Sequence, residues 1–424
     1  MTDFNIIVVG AGIAGLCASI GLRRLGHHVT VLESATSLLP IGIGIHLPPN
    51  ALSALRYLGL TDRLESDAFP PTFFNFRRGS DGSPLATFAS SKPAGSDAAP
   101  YWSMRRSHYQ QHLYEAAVDA GVNVRLGARV DTIDVDSPSV TLASGETLRA
   151  DLIVVANGIK SHLRNTIIPE HEVSMVLNNM SAYRAYASRE ELVDDPETAP
   201  LFQEAATNVW LGYAHHAIVY PCGGDLYTLG ATFPVGVDGH DAMNWSSTAS
   251  AADAVQEFHD FDPVLRKILA MGKDYKQWRL AEVPRLPRWT SKSGTVVLIG
   301  DSAHATLQFL AQGAAMATED AAALAVCIGK ADSVEQIPKT LRAFERIRKW
   351  RCEVVQAQSR RNGEVIHMPD GEEQENRDLE MAGKRQNGLW NADTGPFLDS
   401  KFRRFLYEHD VVEHSRDVLR SMGL

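Results

Sequence analysis

With 424 residues the chain is long enough for two or more hydrophobic cores, and 44% hydrophobic with 22% charged residues is the balance of a folded globular protein, which excludes disordered and fibrous classes. A net charge of −10 argues against a nucleic-acid partner, because neutralising phosphates takes a clustered basic surface. Four scattered cysteines, Cys17, Cys222, Cys327 and Cys352, make neither a metal-binding spacing nor a disulfide framework, and no apolar run approaches the roughly 18 residues of a membrane span; a soluble, cytoplasmic protein without metal or membrane partner is expected.

Asn5 to Val9 is an apolar run rich in Ile and Val, followed at once by Gly10-Ala-Gly-Ile-Ala-Gly15 and the helical pattern Ile13 to Leu25. That strand, turn, helix order is what a dinucleotide-binding glycine triplet requires. Gly10 permits the tight turn, Gly12 lets the backbone approach a pyrophosphate, and Gly15 lets helix and strand pack closely. The helix start, with Ala14, presents free N–H groups to the phosphates. The next strand, His28 to Leu32, ends in Glu33, about 20 residues past the triplet, where an acid reaches the ribose hydroxyls of the adenosine half.

Ile41 to Asn50 is a loop in which glycines, Gly44 among them, allow close approach to a ligand, and Pro48 and Pro49 then open the helix Ala51 to Leu58; His46 is expected at this loop–helix junction. Thr72–Arg78 and Leu85–Phe88 alternate as a hairpin, and Ala89 to Ala99 is a loop without periodicity, together an insertion beside the nucleotide fold. Arg105 and Arg106 precede a helix that Ser107 is expected to cap and Gly121 to stop; they are placed to reach a phosphate or carboxylate, or to be plain surface charge. Short strands at 122–126, 129–135, 140–142 and 151–155 close this unit, the last opening into the polar turn Asn157-Gly158, where strand ends of open α/β sheets meet ligands.

From Met180 to Phe233 aromatic-rich alternation predicts a second, mostly antiparallel sheet. Within it His216 and Tyr220 share parity and therefore a face, and Tyr183-Arg184 begins the same sheet. Thr248 to Met271 reads as helical, and Thr295 to Ile299 as a buried strand that ends in Gly300-Asp301. After Gln312-Gly313, the helix Ala314 to Ile328 turns a positive N-terminus toward the cofactor crevice, suited to an anionic part of the cofactor. Lys339 to His367 reads as a long helix whose Arg342, Arg346, Lys349 and Arg360 form a solvated face.

Over nearly its whole length the chain resembles the FAD-dependent aromatic hydroxylases (group A flavoprotein monooxygenases), most closely the salicylate hydroxylase-like group. The resemblance rests on Gly10 to Gly15 with Glu33, Arg106, Asn157-Gly158, Gly300-Asp-Ser-Ala-His304, Ala311-Gln-Gly-Ala314 and His367-Met-Pro-Asp-Gly371. It implies that Arg106 contacts the cofactor and that Asp301 binds the ribitol. It also implies that Arg184 and the Tyr220-Pro221 pair line the active site, and that NAD(P)H reduces FAD, O2 adds to give a flavin hydroperoxide, and an aromatic substrate is hydroxylated, with or without decarboxylation. Two departures are Asn157, where the family usually has Asp, and Gln308, where it usually has Pro.

The expected fold is α/β: a Rossmann-like FAD-binding domain in three parts (1–70, 101–165, 291–330), the hairpin and loop insertion at 71–100, an inserted antiparallel substrate domain at 166–290, and a helical C-terminal region at 331–424. Gly10, Gly12, Ala14, Gly15, Glu33, Gly44, Arg106, Asn157, Asp301, Gly313 and Ala314 are the expected cofactor residues, and Arg184, His216, Tyr220 and His46 the expected catalytic ones. His216 or Tyr220 is expected to take a phenol's proton and Arg184 to hold a carboxylate. The alternatives are a hydroxylase or epoxidase of a larger natural product and a flavin-binding protein without catalysis; no Trp-x-Trp-x-Ile-Pro pattern supports a flavin halogenase.

Overall fold

The structure, a computed structural model, describes residues 3–38, 44–90, 100–235, 247–383, 395–396 and 399–424. Positions 41–43 of the glycine-containing loop and 91–99 of the Ser/Pro/Ala loop lie outside the described residues.

Five short apolar strands form a parallel sheet in the order Val296–Leu298, Leu152–Val155, Asn5–Val9, His28–Leu32, Asn123–Arg125. Three of them are buried at nearly every position, as parallel strands covered on both faces must be. Their register pairs Val9 with both Leu32 and Val155, and Val155 with Leu298, so their C-terminal ends finish level, at Gly10, Glu33, Ala156 and Ile299. The helix Ile13–Arg24 packs on this sheet and against the helix Gly313–Ile328. Gly21 makes that contact close: a Cβ there would lie 3.0 Å from Ala325 Cβ. Of the short strands expected to close this unit, those at 129–135 and 140–142 form, with Thr147–Arg149, a separate antiparallel meander: Val130–Asp134, Ser139–Leu142 and Thr147–Arg149.

The second sheet has eight strands, ordered Ser247–Thr248, Lys273–Glu282, Val176–Ser188, Leu226–Pro234, His215–Pro221, Ala206–Gly212, Phe73–Arg78, Pro84–Ala89. The hairpin read as an insertion beside the nucleotide fold belongs to this sheet: Phe73–Arg78 pairs in parallel with Ala206–Gly212, and Phe74 and Phe76 bury against Val209 and Leu211. The helical stretch expected over 248–271 is two helices, Ala251–Glu257 and Pro263–Ala270, because Pro263 cannot continue the first and Asp262 caps the second through the Val264 N–H. Strand Lys273–Glu282 was not anticipated; its charged outward positions hide the alternation. The long helix runs Ile337–Ile366. No described helix is long and apolar enough to cross a membrane.

Candidate active site

The C-terminal ends of the parallel strands face one side of the eight-stranded sheet across a cavity of about 450 Å³. At its nucleotide end the wall is Gly12, Ile13, Ala14, Arg106, Ala156, Gly158 and Asp301, together with the loop and helix start Gln312 to Ala314. At its sheet end stand Arg184, His216, Ile218, Tyr220, Gly230 and Thr232, and Phe74, Phe76, Val209, Phe309 and Ile366 add apolar walls.

The glycines of the triplet do three different jobs. A Cβ on Gly15 would lie 2.0 Å from the Gly10 carbonyl oxygen, and one on Gly10, whose φ is +106°, would lie 2.6 Å from the Ala156 oxygen, so these two serve the packing of strand, turn and helix. A Cβ on Gly12 would meet no protein atom within 4 Å: the space in front of it is left for a ligand. Glu33 accepts the Ala11 and Ala35 N–H groups at 2.8 Å each, which fixes the turn and leaves carboxylate lone pairs for a hydroxyl donor. Asp301 is open toward the cavity yet enclosed by chain; burial raises its carboxyl, while His304 and Arg106 oppose that rise. The Asn157 Oδ1 and the Gln312 Nε2 are buried without a partner in the protein.

At the sheet end Arg184 crosses its neighbouring strand at Gly230, its register partner. A Cβ on Gly230 would lie 2.9 Å from Arg184 Nη1, so only glycine lets the guanidinium lie there. Arg184 donates to Gln308 Oε1, and Gln308 Nε2 donates to Thr232 Oγ1 at 3.0 Å. Burial lowers the Arg184 pKa. His216 is held well below the usual imidazole range by burial and then by His367 and Arg184, and burial raises the Tyr220 phenol to about 12. His46 is pushed down to about 3 by burial and by Arg184; its ring packs against that of Tyr220 with centroids 4.0 Å apart and planes tilted by 34°, and both its nitrogens are buried without a partner in the protein.

Beneath the nucleotide end lies a buried charge cluster. Glu319 pairs with Arg351 at 2.9 Å and with Arg348 at 2.8 Å, and Asp320 pairs with Arg348 at 2.8 Å and with His304 at 2.6 Å. Asp320 also accepts the Gly300 N–H at 2.8 Å, and Glu319 the Asn50 amide at 2.7 Å, which ties the Gly300-Asp301 turn to the helix Ile337–Ile366.

Residues 3–359 match the family described as FAD binding domain. The chain is 35% identical over 418 residues to the FAD-dependent monooxygenase OpS4 of Beauveria bassiana (strain ARSEF 2860), spanning 96% of this chain and 95% of that one. The chain belongs to the FAD-dependent aromatic hydroxylases. This flavin monooxygenase is also 30% identical over 373 residues to a 3-hydroxybenzoate 6-hydroxylase of Polaromonas naphthalenivorans (strain CJ2), spanning 86% of this chain and 88% of that one. Its fold matches that of a solved salicylate hydroxylase in a substrate complex, with a TM-score of 0.81 at 22% identity over 98% of each chain. The residues present fit FAD. The open space at Gly12 suits a pyrophosphate, the orphaned Gln312 Nε2 on the wall suits a ligand acceptor, and the helix start at Gly313 offers unpaired N–H groups.

Of the expected cofactor residues of this monooxygenase, Gly12, Ala14, Gly44, Arg106, Asp301, Gly313 and Ala314 line the cavity, whereas Gly10, Gly15, Glu33 and Asn157 stand behind that wall. Gly44 is glycine because of the sheet: a Cβ would lie 2.2 Å from Thr228 Oγ1 and 2.7 Å from the Tyr220 hydroxyl. Ser107 is not a cap; the helix begins at Arg106, and extended Arg105 occupies the capping position without a side-chain bond. His46 lies on the strand Gly44–Leu47 paired with Trp102–Arg105, not in a loop, and it lines the cavity. Tyr220, protonated until about pH 12, is no base near neutrality. Gly230, Gln308 as the Arg184 partner, His367 as the His216 partner and the Glu319-Asp320 pair escaped the sequence reading; a glycine within a strand and two acids inside an alanine-rich helix were the available signals.

Proposed function

We propose that this monooxygenase uses NAD(P)H and O2 to hydroxylate a small aromatic ring carrying a phenol and an acid group, a hydroxybenzoate or salicylate-like compound. The observation that carries this reading is Arg184, a guanidinium on the cavity wall bonded to a neutral amide, while the one carboxylate among the described lining residues, Asp301, lies at the nucleotide end with Arg106. A cation so enclosed calls for an anion, and a guanidinium fork matches a carboxylate.

FAD, when bound, supplies the electron transfer from NAD(P)H and the activation of O2. The chain supplies the rest. Arg184 orients the acid group and, by its charge, favours ionisation of a phenol nearby. His216 lines the cavity and is held neutral, so it can accept a hydrogen bond from the phenol's O–H and orient the ring. Tyr220 keeps its proton and walls the site, packed against the neutral ring of His46. Phe74, Phe76, Val209 and Ile366 exclude water from the reacting atoms.

In the test, purified FAD-loaded protein in air is given NADH or NADPH with hydroxybenzoates. Faster NAD(P)H consumption accompanied by one hydroxylated product is expected; NAD(P)H consumption that no aromatic compound stimulates points to a flavin protein without this activity.

A further inference from the structure

Among the described residues Arg184 has a single hydrogen-bond partner, the side chain of Gln308. A guanidinium only donates, so the amide must turn its Oε1 toward Arg184. Its Nε2 then points the other way and donates to Thr232 Oγ1 at 3.0 Å. Gln308 thereby joins side chains of two paired strands, Val176–Ser188 and Leu226–Pro234. Its own backbone is anchored on both sides by the helix Ile337–Ile366: Ser359 Oγ donates to the Leu307 carbonyl at 2.7 Å and Asn362 Nδ2 to the Phe309 carbonyl at 2.8 Å. The amide that meets Arg184 therefore comes from a fixed base.

Gln308 takes one hydrogen bond of a guanidinium that has five N–H groups, so the fork keeps donors for a ligand. Arg184, Gln308, Gly230 and Thr232 all line the cavity. The titratable groups that face Arg184 from the other walls are His46, His216 and Tyr220, all neutral, while Asp301 stands at the nucleotide end with Arg106. A glutamate has the length of a glutamine and would accept the same N–H, but with a full negative charge, closing an ion pair inside the protein. The amide holds the guanidinium in place and leaves its charge uncompensated.

We propose that Gln308 is a specificity-determining residue of the substrate site: as a neutral amide it fixes Arg184 without neutralising it, so that a ring bearing a carboxylate is taken in preference to the same ring with a neutral group. This rests on the acid-binding reading of Arg184 above. A neutral ligand would strip water from the guanidinium and give no counter-charge in return, and that cost is what rejects it.

The test is binding of benzoate and of benzamide, alike in size and different in charge, to the FAD-loaded protein, followed through the visible absorption of the flavin. The wild-type protein should bind benzoate more tightly by about 30-fold or more. Gln308→Glu, compared at equal FAD content, should lose about tenfold or more of that preference, because its carboxylate meets the charge that benzoate would meet. Gln308→Leu removes both hydrogen bonds and leaves the charge, so it should bind benzoate more weakly yet still prefer it to benzamide. A glutamate variant that prefers benzoate as strongly as the wild type overturns the proposal, and so does a leucine variant that has lost the preference. Equal binding of the two ligands by the wild-type protein instead removes the acid-binding role of Arg184 itself, a failure distinct from that of Gln308.

Discussion

Under the cofactor cradle, Glu319, Asp320, Arg348 and Arg351 are all fully or almost fully buried, and each charge meets an opposite one at 2.8–2.9 Å. On the sheet face of the cavity, Arg184 meets an amide and neutral rings instead. The ionisation of the two regions follows from that difference. In the cluster, burial works against every charge, yet Arg351 and Arg348 pull Glu319 well below the carboxylate range, and Cys352 and Asp320 carry His304 well above the imidazole range. On the sheet face burial prevails: with Arg184 it holds His46 and His216 neutral, and it outweighs Arg184 in keeping Tyr220 protonated. A cluster that balances itself holds structure together, whereas a cavity that leaves one cation unbalanced is set up for a charge brought by a ligand.

The largest expected effect breaks the balanced side. Glu319→Gln leaves Arg351 buried without its carboxylate and should cost about 3–5 kcal/mol in urea unfolding of the FAD-loaded protein; a loss below about 1 kcal/mol would mean that the cluster tolerates an uncompensated charge. Arg184→Met, by contrast, removes a charge that nothing in the protein balances. It should leave the unfolding midpoint the same or higher, and raise KM for an acidic substrate about 30-fold, roughly 2 kcal/mol; lost stability with unchanged KM reverses the contrast.

A third prediction uses pH. His46 and His367 titrate near pH 3 in the folded chain and His216 well below its usual range, while unfolded histidines protonate near 6.5. Below pH 6.5 the unfolded state then binds more protons, so stability falls as pH falls, by up to about 1.4 kcal/mol per pH unit for each group. His409 shifts the same way. In the cluster, the raised His304 contributes fully below pH 6.5 and the depressed Glu319 fully above about 4.5, so neither changes between pH 6.5 and 5. Tm should therefore drop across that window, and a flat Tm contradicts the neutral cavity. The smallest effect belongs to His46→Phe: the packing on Tyr220 survives, the pH slope of stability flattens, and the hydroxylation rate holds. A large loss of rate would return His46 to the chemistry.

Much of this was legible along the sequence because it is local. Gly10 to Gly15 and Glu33 fall within one strand, turn, helix and next strand, and the shared parity of His216 and Tyr220 is a property of a single strand. What was not legible depends on pairing across the chain. Arg348 and Arg351 look in the sequence like Arg342 and Arg346, and only acids about 30 positions earlier, brought against them by helix packing, decide that they are buried. Gly230 and Gly44 show their purpose only when Arg184 and Tyr220 are placed beside them, and His46 changes from a junction residue to one packed on Tyr220 once its strand pairs with Trp102–Arg105.

The unbalanced cation is tested most directly by kcat/KM for NAD(P)H-driven hydroxylation of a hydroxybenzoate and of its neutral methyl ester, in the wild-type protein and in Arg184→Met. The acid should be preferred by about 30-fold or more in the wild type, and the preference should vanish in the variant. Equal use of acid and ester by the wild-type enzyme, or a preference that survives the loss of Arg184, would contradict it.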